Sequence, residues 1–208
     1  MDTPRIIALF EAFREANPHP QGALLFRTPF ELLVAVVLSA QSTDQGVNRV
    51  TPPLFAVAGD PAAMVALGEE AIRGQIRSLG LFNTKAKNIL ALSRLLVERH
   101  GGQVPSERAA LEALPGVGRK SANVVLNIAF GQPTLAVDTH VFRVAHRLGL
   151  STGKSPEAVE RDLLACIPEA FLLQAHHWLI LHGRHVCMAR KPACDRCLAR
   201  PWCPTVEG

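Results

Sequence analysis

The chain has 208 residues, with 22 Lys and Arg against 18 Asp and Glu, a net charge of +4 and a pI near 9.0. That length can bury one substantial core or two smaller ones sharing an interface, and the modest basic excess suits nucleic acid without proving it. The longest uninterrupted apolar run, Leu32 to Leu38, is far too short to span a bilayer, and no basic, apolar leader follows Met1-Asp2-Thr3-Pro4, so a cytoplasmic protein with no membrane partner is expected.

Helical periodicity recurs along the chain and strand alternation is scarce, which makes the class all-α. Ile6, Ile7, Phe10 and Phe13 mark a short amphipathic N-terminal helix, and Pro29 opens a more buried one through Phe30, Leu33, Val34, Val37 and Leu38. Pro52 and Pro53 are expected to interrupt whatever helix follows Thr43. Ala86 to Arg99 is strongly periodic through Ile89, Leu90, Leu92, Leu95 and Leu96 and stops at Gly101-Gly102. Ala109 to Leu114 reads as the end of a helix halted by Pro115, while Arg119 to Ala129 carries Ala122, Val125, Leu126 and Ala129 at helical spacing. Further helices are expected over about 136–148, 156–166 and 169–181.

Two helices joined by Gly116-Val117-Gly118 leave backbone N–H groups exposed at the second helix's start. Glycine at both positions lets a phosphate approach those donors, and the helix dipole favours the anion; such a site reads backbone and carries no base code. Lys120 stands just inside the second helix, beside Arg119, where the helix's positive end and an expected partial burial would favour a neutral, nucleophilic amine. Asp138 follows one element later and would act oppositely if it stood close.

Four of the five cysteines, Cys187, Cys194, Cys197 and Cys203, lie near the end with six, two and five residues between them. In a chain expected to be cytoplasmic they read as a metal centre, not a disulfide framework. Zinc and iron–sulfur sites use the same ligands; zinc sites of this type usually pair two short hooks, and here there is one Cys-x-x-Cys hook with two longer arms. Spacing alone leaves both open. Cys166, among Val159, Leu163 and Ile167, reads as a buried, inert thiol, and His176, His177, His182 and His185 as surface or packing residues with no metal. Arg190 and Lys191, in the six-residue loop, are either a solvated face or phosphate contacts.

Leu114-Pro115-Gly116-Val117-Gly118-Arg119-Lys120 resembles the helix–hairpin–helix of DNA glycosylases, and Asp138 falls where that superfamily places its aspartate. With Ser39-Ala40-Gln41-Ser42-Thr43-Asp44, Gly80-Leu81-Phe82-Asn83-Thr84-Lys85-Ala86 and the cysteine spacing, nearly the whole chain is similar to the endonuclease III family of bifunctional DNA glycosylases and AP lyases. The resemblance implies two helical domains flanking a cleft. One is a six-helix domain over residues 22–132 with the hairpin at about 108–127; the other joins 1–21 to 133–208 and carries a 4Fe–4S cluster on Cys187, Cys194, Cys197 and Cys203. Lys120 would lie on one wall and Asp138 on the other.

By the same resemblance, the Lys120 amine attacks C1′ of a flipped, damaged nucleotide and displaces the base. Asp138 stabilises positive charge on the sugar and assists the proton transfers, and the Schiff base then eliminates the 3′ phosphate. Gly116, Gly118 and Arg119 would hold phosphate, with Arg190 and Lys191 presented to it from the cysteine loop. Gln41 and Leu81 would fill the hole left by extrusion, although Gln41 could instead cap a helix and Leu81 could be core. His140 belongs either to the site's surroundings or to packing. The implied partner is damaged double-stranded DNA, bound by a monomer in a cytoplasm where the protein associates with chromosomal DNA. Removal of oxidised pyrimidines is the leading expectation. A glycosylase for mismatched or alkylated bases is the second, and a non-catalytic DNA clamp, which would need neither Lys120 nor Asp138, the third.

Overall fold

A computed structural model describes residues 1–206. Its ten α-helices among the described residues are α1 (Thr3–Ala16), α2 (Pro29–Ser39), α3 (Asp44–Val57), α4 (Pro61–Ile76), α5 (Phe82–His100), α6 (Arg108–Glu112), α7 (Arg119–Phe130), α8 (Thr139–Arg147), α9 (Pro156–Cys166) and α10 (Glu169–His185). Three 3₁₀ turns, Cys194–Arg196, Arg200–Trp202 and Pro204–Val206, follow α10. The class is all-α, and no single helix among the described residues is long and apolar enough to cross a membrane.

The chain divides into two compact units, Ala23–Gly131 and Met1–Gly22 with Gln132–Gly208. The first is built around α2, which is apolar on nearly every side, so that Leu32, Leu33, Val34, Ala35 and Leu38 are fully buried. α3, α5 and α7 pack on α2, and α4 runs against α5. Thr28 caps α2 by accepting from the Glu31 N–H at 3.1 Å, and the buried Glu31 carboxylate accepts from Arg27 Nη2 and from the Arg27 backbone N–H, each at 2.7 Å. That pairing is what makes a buried carboxylate tolerable beside Leu32.

In the second unit α1 brings Leu9, Phe10 and Phe13 into one core with Val141, Val144, Phe171 and Trp178. Phe10 stacks on Phe171 with ring centroids 5.8 Å apart, and Trp178 Nε1 donates to Asn17 O at 2.8 Å, which fastens the end of α1. α8 and α10 approach closely at Gly183, where a Cβ would lie 2.9 Å from His140 Cβ.

Four expectations are corrected. Pro52 and Pro53 do not interrupt α3: both lie on its exposed side, while Val47, Val50, Leu54 and Phe55 hold the opposite face in the core. The expected helix over 136–148 begins at Thr139, because Asp138 is its N-cap and Ala136 and Val137 are buried, non-helical chain. α10 runs on to His185. Ile7, expected on the buried face of α1, is 38 % exposed. Periodicity also missed α4, whose apolar pattern is broken by the non-helical Gly68 (φ 78°).

Candidate functional site

Six helices, α1, α2, α3, α4, α8 and α9, start on an Asp, Ser or Thr whose side chain accepts a first-turn N–H. α5 and α7 instead start on Leu81 and Gly118, with no side-chain cap. At α7 the first intrahelical bond runs from the Ala122 N–H to Gly118 O at 2.9 Å, and Gly118 brings no side-chain oxygen to the turn carrying Arg119 and Lys120, at the positive end of the helix dipole.

The two hairpin glycines serve different ends. Gly116 has φ 81°, and a Cβ there would lie 2.9 Å from Asn88 Nδ2 and 3.2 Å from Asn88 Cβ, so its bare backbone packs against α5. Gly116 is thus required by the packing on α5 in addition to anything its exposed backbone offers a phosphate. Gly118 has an ordinary extended φ of −99° with nothing within 4 Å of its Cβ position, so it is the one that leaves room outward. Lys120 is exposed, not partly buried as expected, and its amine is open to water.

Asp138 is half-buried, and its Oδ1 accepts from the backbone N–H groups of His140 at 2.9 Å and Val141 at 2.8 Å. One carboxylate oxygen therefore fixes the group on α8 and the other plays no part in the cap. His140 packs where α8 meets Gly183, with its Nδ1 3.3 Å from Arg143 Nη2. His176 Nδ1 lies 2.9 Å from Ala136 O and so supports the chain leading into Asp138.

Gln41 and Leu81 are exposed, Leu81 by 57 %, so Leu81 is not core and Gln41 caps no helix. Gln41 (φ 53°) follows Ala40 (φ −56°, ψ 117°), and the Ser42 N–H donates to Ser39 O at 3.0 Å: a type II turn with glutamine where glycine is favoured. Leu81 (φ 58°, ψ 26°) is also left-handed. The one other non-glycine residue with positive φ among the described residues is Lys191 (φ 51°). All three are residues for which the family resemblance implies DNA contact. Each such conformation costs on the order of 1–3 kcal/mol and persists only where its surroundings impose it.

The cysteine loop is strapped to α8. Arg147 donates through Nη1 to Met188 O at 2.7 Å and to Cys187 Sγ at 3.4 Å, and through Nη2 to Ala189 O at 3.1 Å. Arg143 donates through Nε to Cys187 O at 3.1 Å, and the Cys203 thiol lies 3.5 Å from Arg147 O. Burial pushes the Cys197 thiol up and Cys187, Cys203 and Cys194 each add to that, against the bond it has with the Ala199 backbone. A thiol raised by burial and by three neighbouring cysteines suits a shared cationic centre. Among the described residues no group of three or more His, Cys, Asp or Glu is placed to hold a metal ion. His182 Nε2 lies 3.6 Å from Cys197 Sγ, and burial lowers His182 to about 4. Arg190 and Lys191 are exposed, whereas Arg196 donates to His185 O at 3.2 Å. Cys166 is half-buried, not fully buried, and burial raises its thiol.

Sequence reading passed over Lys85, which is 4 % exposed and whose Nζ donates to Ser42 Oγ at 2.7 Å. Its spacing four residues before the buried Ile89 was the available signal.

The family described as "HhH-GPD superfamily base excision DNA repair protein" matches residues 34–169. Endonuclease III of Escherichia coli (strain K12) is 54% identical over 207 residues, covering 100% of this chain and 98% of that protein. Endonuclease III of Treponema pallidum (strain Nichols) is 55% identical over 203 residues, covering 98% of this chain and 96% of its own. A solved structure of a trapped endonuclease III–DNA covalent intermediate, an estranged-adenine complex, matches with TM-score 0.91 at 41% identity, over 100% of this chain and 98% of that one.

Proposed function

We propose how a reaction is divided among named residues of a chain that belongs to the endonuclease III family of HhH-GPD base-excision DNA repair proteins. It is a DNA-binding, bifunctional enzyme, a glycosylase that removes oxidised pyrimidines and a lyase that cuts the strand at the abasic site. The observation that carries the division of roles is the exposed Lys120 in the first turn of α7, two residues after the unobstructed N-cap Gly118.

The hairpin takes a backbone phosphate at Gly118 and Arg119, with Gly116 keeping the turn in shape against Asn88. The Lys120 Nζ bonds to sugar C1′ as the C1′–N bond breaks, and the departing base keeps the electron pair and takes up a proton. The sugar ring opens to a protonated imine. Loss of a proton from C2′ then expels the 3′ phosphate and nicks the strand. Asp138, fixed on α8 through Oδ1, has the role of stabilising the developing positive charge with its remaining oxygen and of passing protons. The similar endonuclease III trapped as a covalent intermediate with DNA supports a covalent step of this kind. Extrusion of the nucleotide costs a few kcal/mol, and Gln41 and Leu81 fill the vacated stack.

Family membership implies an iron–sulfur cluster. Cys187, Cys194, Cys197 and Cys203 would hold it as a 4Fe–4S centre, which supplies the positive charge their thiolates need and staples a tail with little core of its own. Arg190 and Lys191 then meet phosphate from the loop before Cys194. The working form is a monomer on damaged duplex DNA, in the cytoplasm with the chromosome.

Borohydride trapping on duplexes carrying thymine glycol or an abasic site tests the division. A covalent adduct on both is expected, lost in Lys120→Gln. Trapping of the abasic site alone would move the base specificity to mismatched or alkylated bases. An adduct that survives Lys120→Gln would place the nucleophile elsewhere.

A further inference from the structure

A lysine ammonium is seldom buried without a carboxylate beside it, because desolvation disfavours the charged form. Lys85 is such a case: 4 % exposed, bonded to the Ser42 hydroxyl, and paired with no acidic group among the described residues. Burial pushes its amine below the ordinary lysine value. The catalytic scheme makes no use of it, and neither of its attachment points belongs to the packed core.

Its position explains the expense. Lys85 lies in the first turn of α5, and its backbone N–H donates to Leu81 O at 3.0 Å, the first helical bond after the left-handed Leu81. Ser42 follows directly after the left-handed Gln41. The two turns lie side by side, since a Cβ on Gly80 would lie 3.7 Å from Gln41 O. One residue therefore grips the turn carrying Leu81 through its backbone and the turn carrying Gln41 through its side chain, 43 positions away in sequence. The Ser42 hydroxyl is half-exposed, so water could replace a lysine there at little cost to the fold.

We propose that Lys85 is the positioning residue of the pair that fills the stack: its ammonium, bonded to Ser42, locks the Gln41 turn to the Leu81 turn so that both strained side chains enter DNA as one rigid unit. This rests on the reading of Gln41 and Leu81 as hole-filling residues. A loose pair would relax toward unstrained backbone when free and would have to be re-ordered at each extrusion, so the bond saves ordering entropy at the extrusion step. It has no bearing on chemistry at a sugar that is already unstacked.

The test compares single-turnover cleavage of a thymine-glycol duplex with lyase cleavage of a single-stranded abasic oligonucleotide, which leaves no hole to fill. Lys85→Met and Ser42→Ala should each lower the duplex-to-single-strand rate ratio about tenfold, the double variant no further, and Lys85→Arg should restore most of it. Fluorescence of 2-aminopurine placed opposite the lesion should show slowed unstacking in the same variants. If Lys85→Met does not fold, Ser42→Ala alone decides. Gln41→Ala and Leu81→Ala run alongside. If these lower the ratio while Lys85→Met and Ser42→Ala leave it unchanged, the lock is wrong and the hole-filling pair stands. If neither set moves it, both readings fall. An equal loss on both substrates would make Lys85 merely structural and overturn the proposal.

Discussion

The hairpin glycines allow stability and DNA binding to be separated by two one-methyl changes. Gly116→Ala puts an L side chain at φ 81°, which costs about 1–2 kcal/mol for the left-handed backbone. Its methyl also meets Asn88 Nδ2 at 2.9 Å, Cβ at 3.2 Å and Cγ at 3.3 Å, so the whole Asn88 side chain must retreat, adding on the order of 1 kcal/mol. The sum, roughly 2–3 kcal/mol, corresponds to a fall in unfolding midpoint of roughly 5–10 °C for a chain of this length. Gly118→Ala has an extended φ of −99° and open space around the new methyl, so the fold loses nothing and gains a few tenths of a kcal/mol through the unfolded chain. Its methyl projects where the phosphate comes in, and affinity should fall about tenfold. Thermal unfolding followed by circular dichroism, paired with fluorescence anisotropy on a duplex with a stable abasic analogue, reads both. Equal effects of the two substitutions on stability would refute the assignment, as would a Gly118→Ala variant that binds as tightly as the parent.

Asp138 has two duties that substitution can divide. Asn is as good a helix cap as Asp, so Asp138→Asn should keep the melting temperature yet lose at least a hundredfold in trapping rate, while Asp138→Ala should lose both, with about 1 kcal/mol of stability. Cys194→Ser should lose the visible iron–sulfur absorbance together with the yield of soluble protein; a folded, active, colourless variant would defeat the staple. Arg190→Ala and Lys191→Ala together should flatten the dependence of log affinity on log salt by about two, close to 0.9 per lost phosphate contact, with no change in lesion preference.

Much of this molecule is legible in its residues. Helices with a clear apolar stripe, such as α5 and α7, announce themselves, and so do α2 and α9, opened by Pro29 and Pro156, whereas α4 behind Pro61 does not. Pro52 and Pro53 misled because a proline's local cost is outweighed where the opposite face of the helix is held by burial, as it is here by Val47, Val50 and Leu54. Asp138 looked like chemistry alone, whereas capping also ends the non-helical Ala136–Val137 chain and starts α8. Gly116 and Gly118 look interchangeable in a Gly-x-Gly turn; only the tertiary neighbour Asn88 separates them. The strain at Gln41, Leu81 and Lys191 has no compositional signature, and Lys85 reads as one more surface charge until its contact with Ser42 is seen.

Trp178 bonding to Asn17 across 161 positions has a consequence for biosynthesis. Ala23–Gly131 is contiguous and has left the ribosome while the later segments are still being made, so α2 through α7 have their partners early. α1 emerges first and waits longest: Leu9, Phe10 and Phe13 have no partner until α8 and α10 arrive. A nascent chain therefore carries a greasy N-terminal helix in the open for most of its translation. That stretch is where a chaperone would hold it and where truncated products would aggregate.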